Sequence, residues 1–535
     1  MEQNRIQHLE GAILNEACRK EISKYTIALE GWRRGLTLKF YSYYRECGQL
    51  KLQYSLENEK HFHLFEGSKG DKISEEADEI CKDKSKTKEV LLRKNVPTPF
   101  GRKFNAEDSI DRIIKYTEES IGYPVVAKPT DGFAGKGVVV NIQNAEDLQK
   151  SLTYIRKELK FTELIIEKYI KGEEVRVYVL NNEVLGVIKR IPANVIGDGK
   201  RSIKELIEIK NEQRKKIPHL YNKQIKLDRQ FYNTIRSLGF TLDSIPNKGE
   251  RIFVKRISNI SSGGDPIDVT SDISDDIKKV AIDASNAIPG LTHSGVDILL
   301  NEEDQMPYVL EVNTKPGLGS HLFPMEGEPK DIPKAIIDYY FPETKNKNVY
   351  DINMFFDYGS IYKALNRKSV DEIEVIPVPQ GTLYCKKYTV SGEIQHEDIV
   401  NKIYIKAIEK NIHGFVKRVN DKKVDIVAAS LDRKEVQRFE DVLMGLSKNL
   451  YVNSDTWSAQ IMAGFHIEDE INDLNPEELE KELTAVSKQI STLERQYKNI
   501  MTKNEKIEKS FSWKCTKPIR VFANYVKTLS NSFGK

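Results

Sequence analysis

The chain has 535 residues, of which 39% are hydrophobic and 30% charged, with a formal net charge of +3. That length predicts several domains, the apolar fraction excludes a disordered chain, and the near balance of charge excludes an overall basic field of the kind that attracts nucleic acid. Five scattered cysteines (Cys18, Cys47, Cys81, Cys385, Cys515) form no CxxC pair, which argues against structural zinc; together with a charged N-terminus and no apolar run of membrane-spanning length, a cytoplasmic protein is expected.

Residues 1–80 read as an α/β region, an amphipathic helical opening followed by strand-like runs at Leu36–Tyr44 and Lys51–Leu56, without a recognisable motif. From 81 to 343, strand, glycine-loop and helix signals alternate as in a nucleotide-binding body. There the apolar run Val125-Val126-Ala127 delivers Lys128 and Pro129 into a loop containing Gly132, Gly135 and Gly137. Glycines let backbone N–H groups approach phosphate oxygens, and the lysine adds a fixed positive charge. No GKS or GKT closes the loop, so it is not a Walker loop, and by itself such a turn is common.

Next, Leu164–Ile170 reads as a strand whose backbone, at Glu167, Tyr169 and Ile170, can pair with an adenine edge. Glu174 then opens another strand, with a carboxylate suited to ribose hydroxyls. Further on, Gly295–Leu300 carries Asp297, and Tyr308–Gly317 carries Glu311 and Asn313. Period-two alternation puts Glu311 and Asn313 on one face. A few hard oxygen ligands that share an ion with phosphates are what magnesium prefers. Each piece alone also fits an ordinary solvent-facing hairpin.

Residues 344–380, with Pro377 and Pro379, read as a linker. Residues 381–460 follow the order strand, helix, strand, strand, helix, strand, which predicts a split βαβ unit of ferredoxin-like type. In 472–510, Leu479, Leu483, Val486, Ile490, Leu493, Tyr497 and Ile500 step by alternating four and three residues, the seam of a coiled coil. Self-association into a homo-oligomer and packing against its own chain both satisfy that seam. The tail, 511–535, is basic and aromatic, a composition suited to peripheral contact with a membrane surface.

In this order, the pieces between Cys81 and Phe341 resemble the ATP-grasp superfamily. The resemblance implies ATP and magnesium, two ions, as cofactors. It makes Lys84 and Lys128 phosphate ligands, Gly132, Gly135 and Gly137 the phosphate cover, Glu167, Tyr169 and Ile170 the adenine wall, Glu174 the ribose acid, and Asp297, Glu311 and Asn313 the metal ligands. It also makes Lys128, Arg190 and Arg256 catalytic candidates, the arginines holding anionic substrate or phosphate oxygens. His293 and His321 lie beside these segments, where a lone histidine is usually structural. Arg190–Gly199, Asn259–Gly264 and Asn313–Gly327 resemble the ATP-grasp part of cyanophycin synthetases, and the fused ATP-grasp of bifunctional glutathione synthetases is similar.

The region from Val390 to Leu443 resembles an acylphosphatase. However, His396-Glu397-Asp398-Ile399-Val400 stands where a glycine-lined anion loop ending in arginine belongs, and Arg418 replaces the expected asparagine. A binding or assembly role is therefore expected of it. SFSWKCTKPIR at 510–520 resembles tails of bacterial cell-surface polysaccharide enzymes. The expected fold class is α+β: an ATP-grasp fold, a ferredoxin-like, acylphosphatase-like domain and a coiled-coil helix. The expected function is a carboxylate–amine ligase acting through an acyl phosphate on an amino acid, peptide or polymer, in cell-surface polymer or peptide biosynthesis. The alternatives are a phosphotransferase of the same fold and a non-catalytic ATP-binding assembly protein.

Overall fold

A computed structural model describes residues 5–468, except 19, 45–47, 49, 131–136, 348–351, 393–395, 421 and 447–449, and except the side chains of 396–398. The expected coiled coil and tail lie outside the described residues.

Helix α1 (Ile22–Arg33) is buried along its whole length. It packs on an antiparallel sheet of β1 (Thr37–Tyr44), β2 (Leu50–Glu57), β3 (Phe62–Glu66) and β4 (Lys69–Gly70). Alternation along β1 turns Leu38 and Phe40 inward, opposite Leu56 and Tyr54 of β2, so one face of the ribbon is apolar. The two runs read as strands in the sequence are β1 and β2.

Helices α2 (Glu75–Lys82) and α3 (Lys84–Arg93) follow, N-capped by the side chains of Ser74 and Asp83. These caps satisfy first-turn N–H groups that have no partner within the helix. The chain then crosses through Pro97 and Pro99 into a small lid. Its members are β5 (Gly101–Phe104), α4 (Ile110–Tyr116), β6 (Val125–Pro129), β7 (Val139–Ile142), α5 (Ala145–Thr153) and β8 (Leu164–Lys168), with sheet order β5-β8-β6-β7. Ile113, Leu148 and Leu152 of the helices meet Val125, Ala127 and Ile166 of the sheet in a core of their own.

The body comes next: β9 (Gly172–Leu180) and β10 (Glu183–Ile191), then an insert of β11 (Asn194–Ile196), α6 (Ile203–Lys215), α7 (Arg229–Ser237) and β12 (Arg251–Phe253), then β13 (Asp265–Asp268), α8 (Asp275–Ala287), β14 (His293–Asn301) and β15 (Pro307–Asn313). The body sheet has the order β13-β10-β9-β14-β15. Strand β9 explains the arrangement. Its valines, Val175, Val177 and Val179, pack with Ala281 and Ala284 of α8. Tyr178 and Leu180, on the opposite face, belong to the core of the N-terminal sheet. Glu174 and Arg176 share that second face, where the apolar contacts stop. After the short α9 (Gly319–Leu322), helix α10 (Ile332–Tyr340) packs on α1. There the fully buried Arg34 bridges Glu30 at 2.7 Å and Asp338 at 2.7 Å.

Among the described residues of 344–380, the chain from 352 onward is folded and not a free connector. It contains β16 (Met354–Phe355), α11 (Tyr358–Asn366) and β17 (Glu372–Glu374). Strand β17 adds to the free edge of β1, with Phe40 opposite Ile373. Phe356 sets its ring 5.2, 5.7 and 5.8 Å from Tyr25, Trp32 and Phe40. Burial of these aromatics holds the segment in place, a term of about 1.5–3 kcal/mol per large side chain.

The last unit comprises β18 (Tyr384–Gly392), α12 (His396–Glu409), β19 (His413–Asn420), β20 (Lys423–Ser430), α13 (Arg433–Met444), β21 (Leu450–Thr456), β22 (Ile461–Met462) and β23 (Phe465–Glu468). Its sheet runs β21-β18-β20-β19-β23. The first four of these strands have the order of the split βαβ unit expected from the sequence, and β23 extends the unit beyond residue 460. Strand β22 pairs in parallel with β16, and Arg33 donates to Gln460 at 2.9 Å, so this module is tied to the N-terminal core.

Candidate functional site

The body sheet presents a charged row. In register, Arg176 of β9 lies opposite Asp297 of β14, and Asp297 lies opposite Glu311 of β15. Cross-strand neighbours share a face, so the three charges stand side by side. Arg176 grips Asp297 bidentately, Nε to Oδ1 and Nη2 to Oδ2, both at 2.6 Å. Asn313, two residues beyond Glu311, lies on the same face by strand alternation. One residue pair further along β9 and β10, Arg190 donates to Glu174 at 3.2 Å.

The electrostatics follow from this crowding. Arg176 is raised above its ordinary value: burial lowers it, but the carboxylates of Asp297, Glu174 and Glu311 outweigh that. Glu174 is raised, first by desolvation within the protein and then by Asp297, against the pull of Arg190 and Arg176. Arg190 is lowered by burial and by Arg176. The face therefore combines closely set charges of both signs, two arginines against three carboxylates.

Two lysines approach from outside this sheet. Lys84, the first residue of α3, has Nζ 3.7 Å from Glu311 Oε1, and its backbone N–H donates to the Thr130 carbonyl at the end of β6. Lys128, on β6, reaches Glu167 Oε2 at 2.5 Å, while Lys88 of α3 reaches Glu167 Oε1 at 2.5 Å. Burial raises the Glu167 carboxyl, and the two ammonium groups more than reverse that, leaving it below the usual range. Lys88 is lowered by burial against the pull of Glu167.

Glu167 is thus 4% exposed, with both oxygens taken. The side chain is therefore engaged by Lys88 and Lys128, while the adenine expectation for this position concerns its backbone. Tyr169 and Ile170 follow β8 and are half-buried, and the Tyr169 N–H is already used by the Pro124 carbonyl. Gly132 and Gly135 lie outside the described residues. Gly137 is described and has φ +79°, and an added Cβ would meet Pro129 Cγ at 2.8 Å, so glycine is required at that end of the loop.

The loop after the carboxylates is anchored by the N-terminal region. Thr314 donates to Asp78 at 2.6 Å, Ser68 to the Pro316 carbonyl at 2.8 Å, and the Leu318 N–H to Ser23 at 2.9 Å. Lys315 pairs with Glu66 at 2.6 Å. Residues 1–80, in which the sequence offered no motif, therefore hold the end of β15 in place.

The remaining candidates behave differently. Among the described residues, Arg256 bonds Ser237 of the insert at 3.2 Å and is not joined to the charged row. His293 is fully buried between the hydroxyls of Tyr178 and Tyr340, at 3.2 and 3.4 Å, and burial lowers it to about 4. His321 is also fully buried and is lowered to about 3, first by burial and then by Arg176 and Arg190. Burial therefore favours the neutral imidazole at both positions. Two site residues escaped the sequence reading. Arg176 is two positions from Glu174 and so on its face of the strand; Lys88 is four positions from Lys84 and so on its face of the helix.

The donor set tests for magnesium. Among the described residues no cluster of three His, Cys, Asp or Glu side chains is built to hold a metal. Two opposed carboxylates and an amide on one face fit magnesium all the same, since that ion keeps waters and phosphates in its shell and needs few protein ligands. Arg176 and Lys84 lie against these carboxylates and offset part of their charge. No helix among the described residues is long and apolar enough to cross a membrane.

Comparison with known proteins gives a consistent picture. The RimK-like ATP-grasp domain family matches residues 81–215 and 255–337; much of the helical insert lies between the two stretches. The cyanophycin synthetase of Trichormus variabilis is 33% identical over 281 residues, 51% of this chain and 30% of that protein. The bifunctional glutathione biosynthesis protein of Clostridium perfringens is 29% identical over 333 residues, 60% of this chain and 41% of that protein. This chain thus spans less than half the length of either relative. The crystal structure of a bifunctional glutathione synthetase from Pasteurella multocida is 28% identical, with a TM-score of 0.44, covering 54% of this chain and 40% of that one.

Proposed function

From a chain that carries a RimK-like ATP-grasp domain, we propose a ligase that uses ATP to join a carboxylate to an amine. The observation that carries this reading is the in-register row Arg176–Asp297–Glu311, with Asn313 on the same face and Lys84 and Lys128 approaching from α3 and the lid.

In this reading Asp297, Glu311 and Asn313 hold magnesium, which supplies charge neutralisation for the triphosphate. Lys84 and Lys128 bind phosphate oxygens, and Glu174 takes the ribose. Arg190 and Arg176 stabilise negative charge on the transferring phosphoryl group and the substrate carboxylate. A carboxylate oxygen attacks the γ-phosphorus, the bond to the β-phosphate oxygen breaks, and ADP leaves. The amine nitrogen then attacks the acyl carbon, the carbon–oxygen bond to phosphate breaks, and the amine proton passes to solvent. The loop bearing Gly132, Gly135 and Gly137 is assigned the exclusion of water that would otherwise hydrolyse the acyl phosphate.

The relatives' names point to amino-acid or peptide substrates, and we propose that class here, with work in the cytoplasm on a cell-surface polymer or peptide. The C-terminal module, acylphosphatase-like in sequence, serves assembly, and the segment 472–510 serves self-association. The test is a screen of pooled amino acids and peptides with purified protein, following phosphate release and product mass. A product lighter than the summed substrates by one water supports ligation. Phosphate retained on the product favours phosphotransfer, and release of phosphate without either product defeats both.

A further inference from the structure

We propose that Lys88 is a positioning residue for the nucleotide phosphates, acting through Glu167 to keep the charge of Lys128 available; this rests on the ATP-site reading above. Three facts point to it. Lys88 sits on α3, whose Leu91 packs into the body core with Val96 and Ala281. Glu167 sits on β8, fixed on one side by β5, with Gly101 opposite it, and on the other by β6, with Val126 opposite it. The ion pair between them therefore runs from the body to the lid, beside the crossing segment, where Lys88 also donates to the Pro99 carbonyl.

The crossing has no slack. A Cβ on Gly101 would come 2.2 Å from the Ile166 carbonyl oxygen and 2.7 Å from Glu167 Cγ. Glu167 cannot retreat, and its two oxygens face two ammonium groups at 2.5 Å each. The three groups sum to one positive charge. Without Lys88, Glu167 and Lys128 would sum to zero, and the carboxylate would hold Lys128 as its sole partner. A phosphate would then have to take Lys128 away from a buried acid, leaving that acid unpaired, which is costly. With Lys88 present, Glu167 keeps a partner while Lys128 engages the ligand.

This separates Lys88 from the residues that touch ATP. Its removal weakens the binding of phosphates but not of the base and sugar. The experiment is calorimetric titration of full-length protein with ATP, ADP and adenosine, for wild type, Lys88→Met and Lys88→Arg. The expected result is a loss of about tenfold or more in affinity for ATP and ADP in Lys88→Met, recovered to within about threefold in Lys88→Arg, with adenosine unchanged. Steady-state kinetics should show the same loss in KM for ATP, with kcat changing less. Equal ATP affinity in Lys88→Met, or an equal loss for adenosine, overturns the proposal while leaving the ATP-site reading intact. If wild type binds neither ATP nor adenosine, that reading fails and takes the proposal with it. Should Lys88→Met fail to fold, Lys88→Gln, which still donates to Pro99 and Glu167 without charge, makes the same comparison.

Discussion

The body sheet and the sheet of the C-terminal module both have five strands, and they use their faces differently. In the body, valines and alanines of β9, β14 and α8 close one face, while the other carries Arg176, Asp297, Glu311 and Asn313. In the module, Tyr388, Val390, Ile426 and Ala428 pack against Ile403 and Phe439 of the helices. One end of its second face is covered as well: Val427 and Ala429 meet Ile461, with Phe415 and Trp457 beside them. The other end carries the Lys387–Asp425 pair at 2.7 Å, whereas on the body sheet the charged row begins where the buried Tyr178 and Leu180 stop. The proposed function assigns the chemistry to the body sheet and leaves packing to the module.

The largest expected effect breaks that assignment if it fails. Glu311→Gln removes one charge from the row without altering its shape, and should cut turnover by about a thousandfold or more, the scale of losing a key electrostatic group. Circular dichroism and the melting temperature should stay near wild type. Turnover within tenfold of wild type would remove Glu311 from the site. The converse substitution is Ile426→Ala in the module core, where the side chain is fully buried. It should cost about 2–5 kcal/mol of stability, read by denaturant titration, with activity per folded molecule unchanged. Lost activity in folded Ile426→Ala protein would mean that the two sheets are coupled.

How much of this the sequence discloses depends on how far apart the interacting residues lie. Glu311 and Asn313 share a strand, so period two is enough to pair them, and the βαββαβ order of the module is written in its alternation of patterns. Arg176 is different. In Glu173-Glu174-Val175-Arg176-Val177 it reads as one more exposed strand charge, because its partner Asp297 is 121 residues away and only sheet register brings them together. Lys88 lies in the lysine-rich run Lys82–Lys88, where nothing local marks one lysine as the partner of Glu167. The stretch 344–380 misleads for another reason. Its prolines suggest a loose connector, whereas Phe355, Phe356 and Tyr358 supply the apolar surface that docks it, and β17 joins by backbone hydrogen bonds that no side-chain pattern encodes.

A smaller effect sharpens the role of the lid. Glu167 is held below its ordinary value of 4.5 in the fold, so it contributes stability that is fully present above that value and is lost as pH falls through the lower, folded value. Wild-type stability should therefore decline on acidification below about pH 4.5, in excess of the decline in Glu167→Gln. At pH 7 the variant should be less stable by about 3 kcal/mol, the cost of breaking a buried ion pair, and the gap should narrow in acid. Thermal melts of both proteins between pH 3 and 7 measure this. A constant gap would mean that Glu167 is not charged in the native protein.

The smallest expected effect concerns the module's own chemistry. An acylphosphatase site needs an anion cradle closed by arginine, and here Val400 stands at the arginine's position, in α12 and half-buried against the module core. Arg418, where the water-orienting asparagine is expected, lies on the exposed end of β19. In the sequence Glu397 and Asp398 stand where the cradle's neutral residues are expected, and like charges repel a phosphate. Acetyl phosphate given to the Glu311→Gln protein, in which ligation is silenced, should therefore disappear no faster than in buffer. Hydrolysis above that background, abolished by Arg418→Ala, would give the module a catalytic face and undo the division of labour between the two sheets.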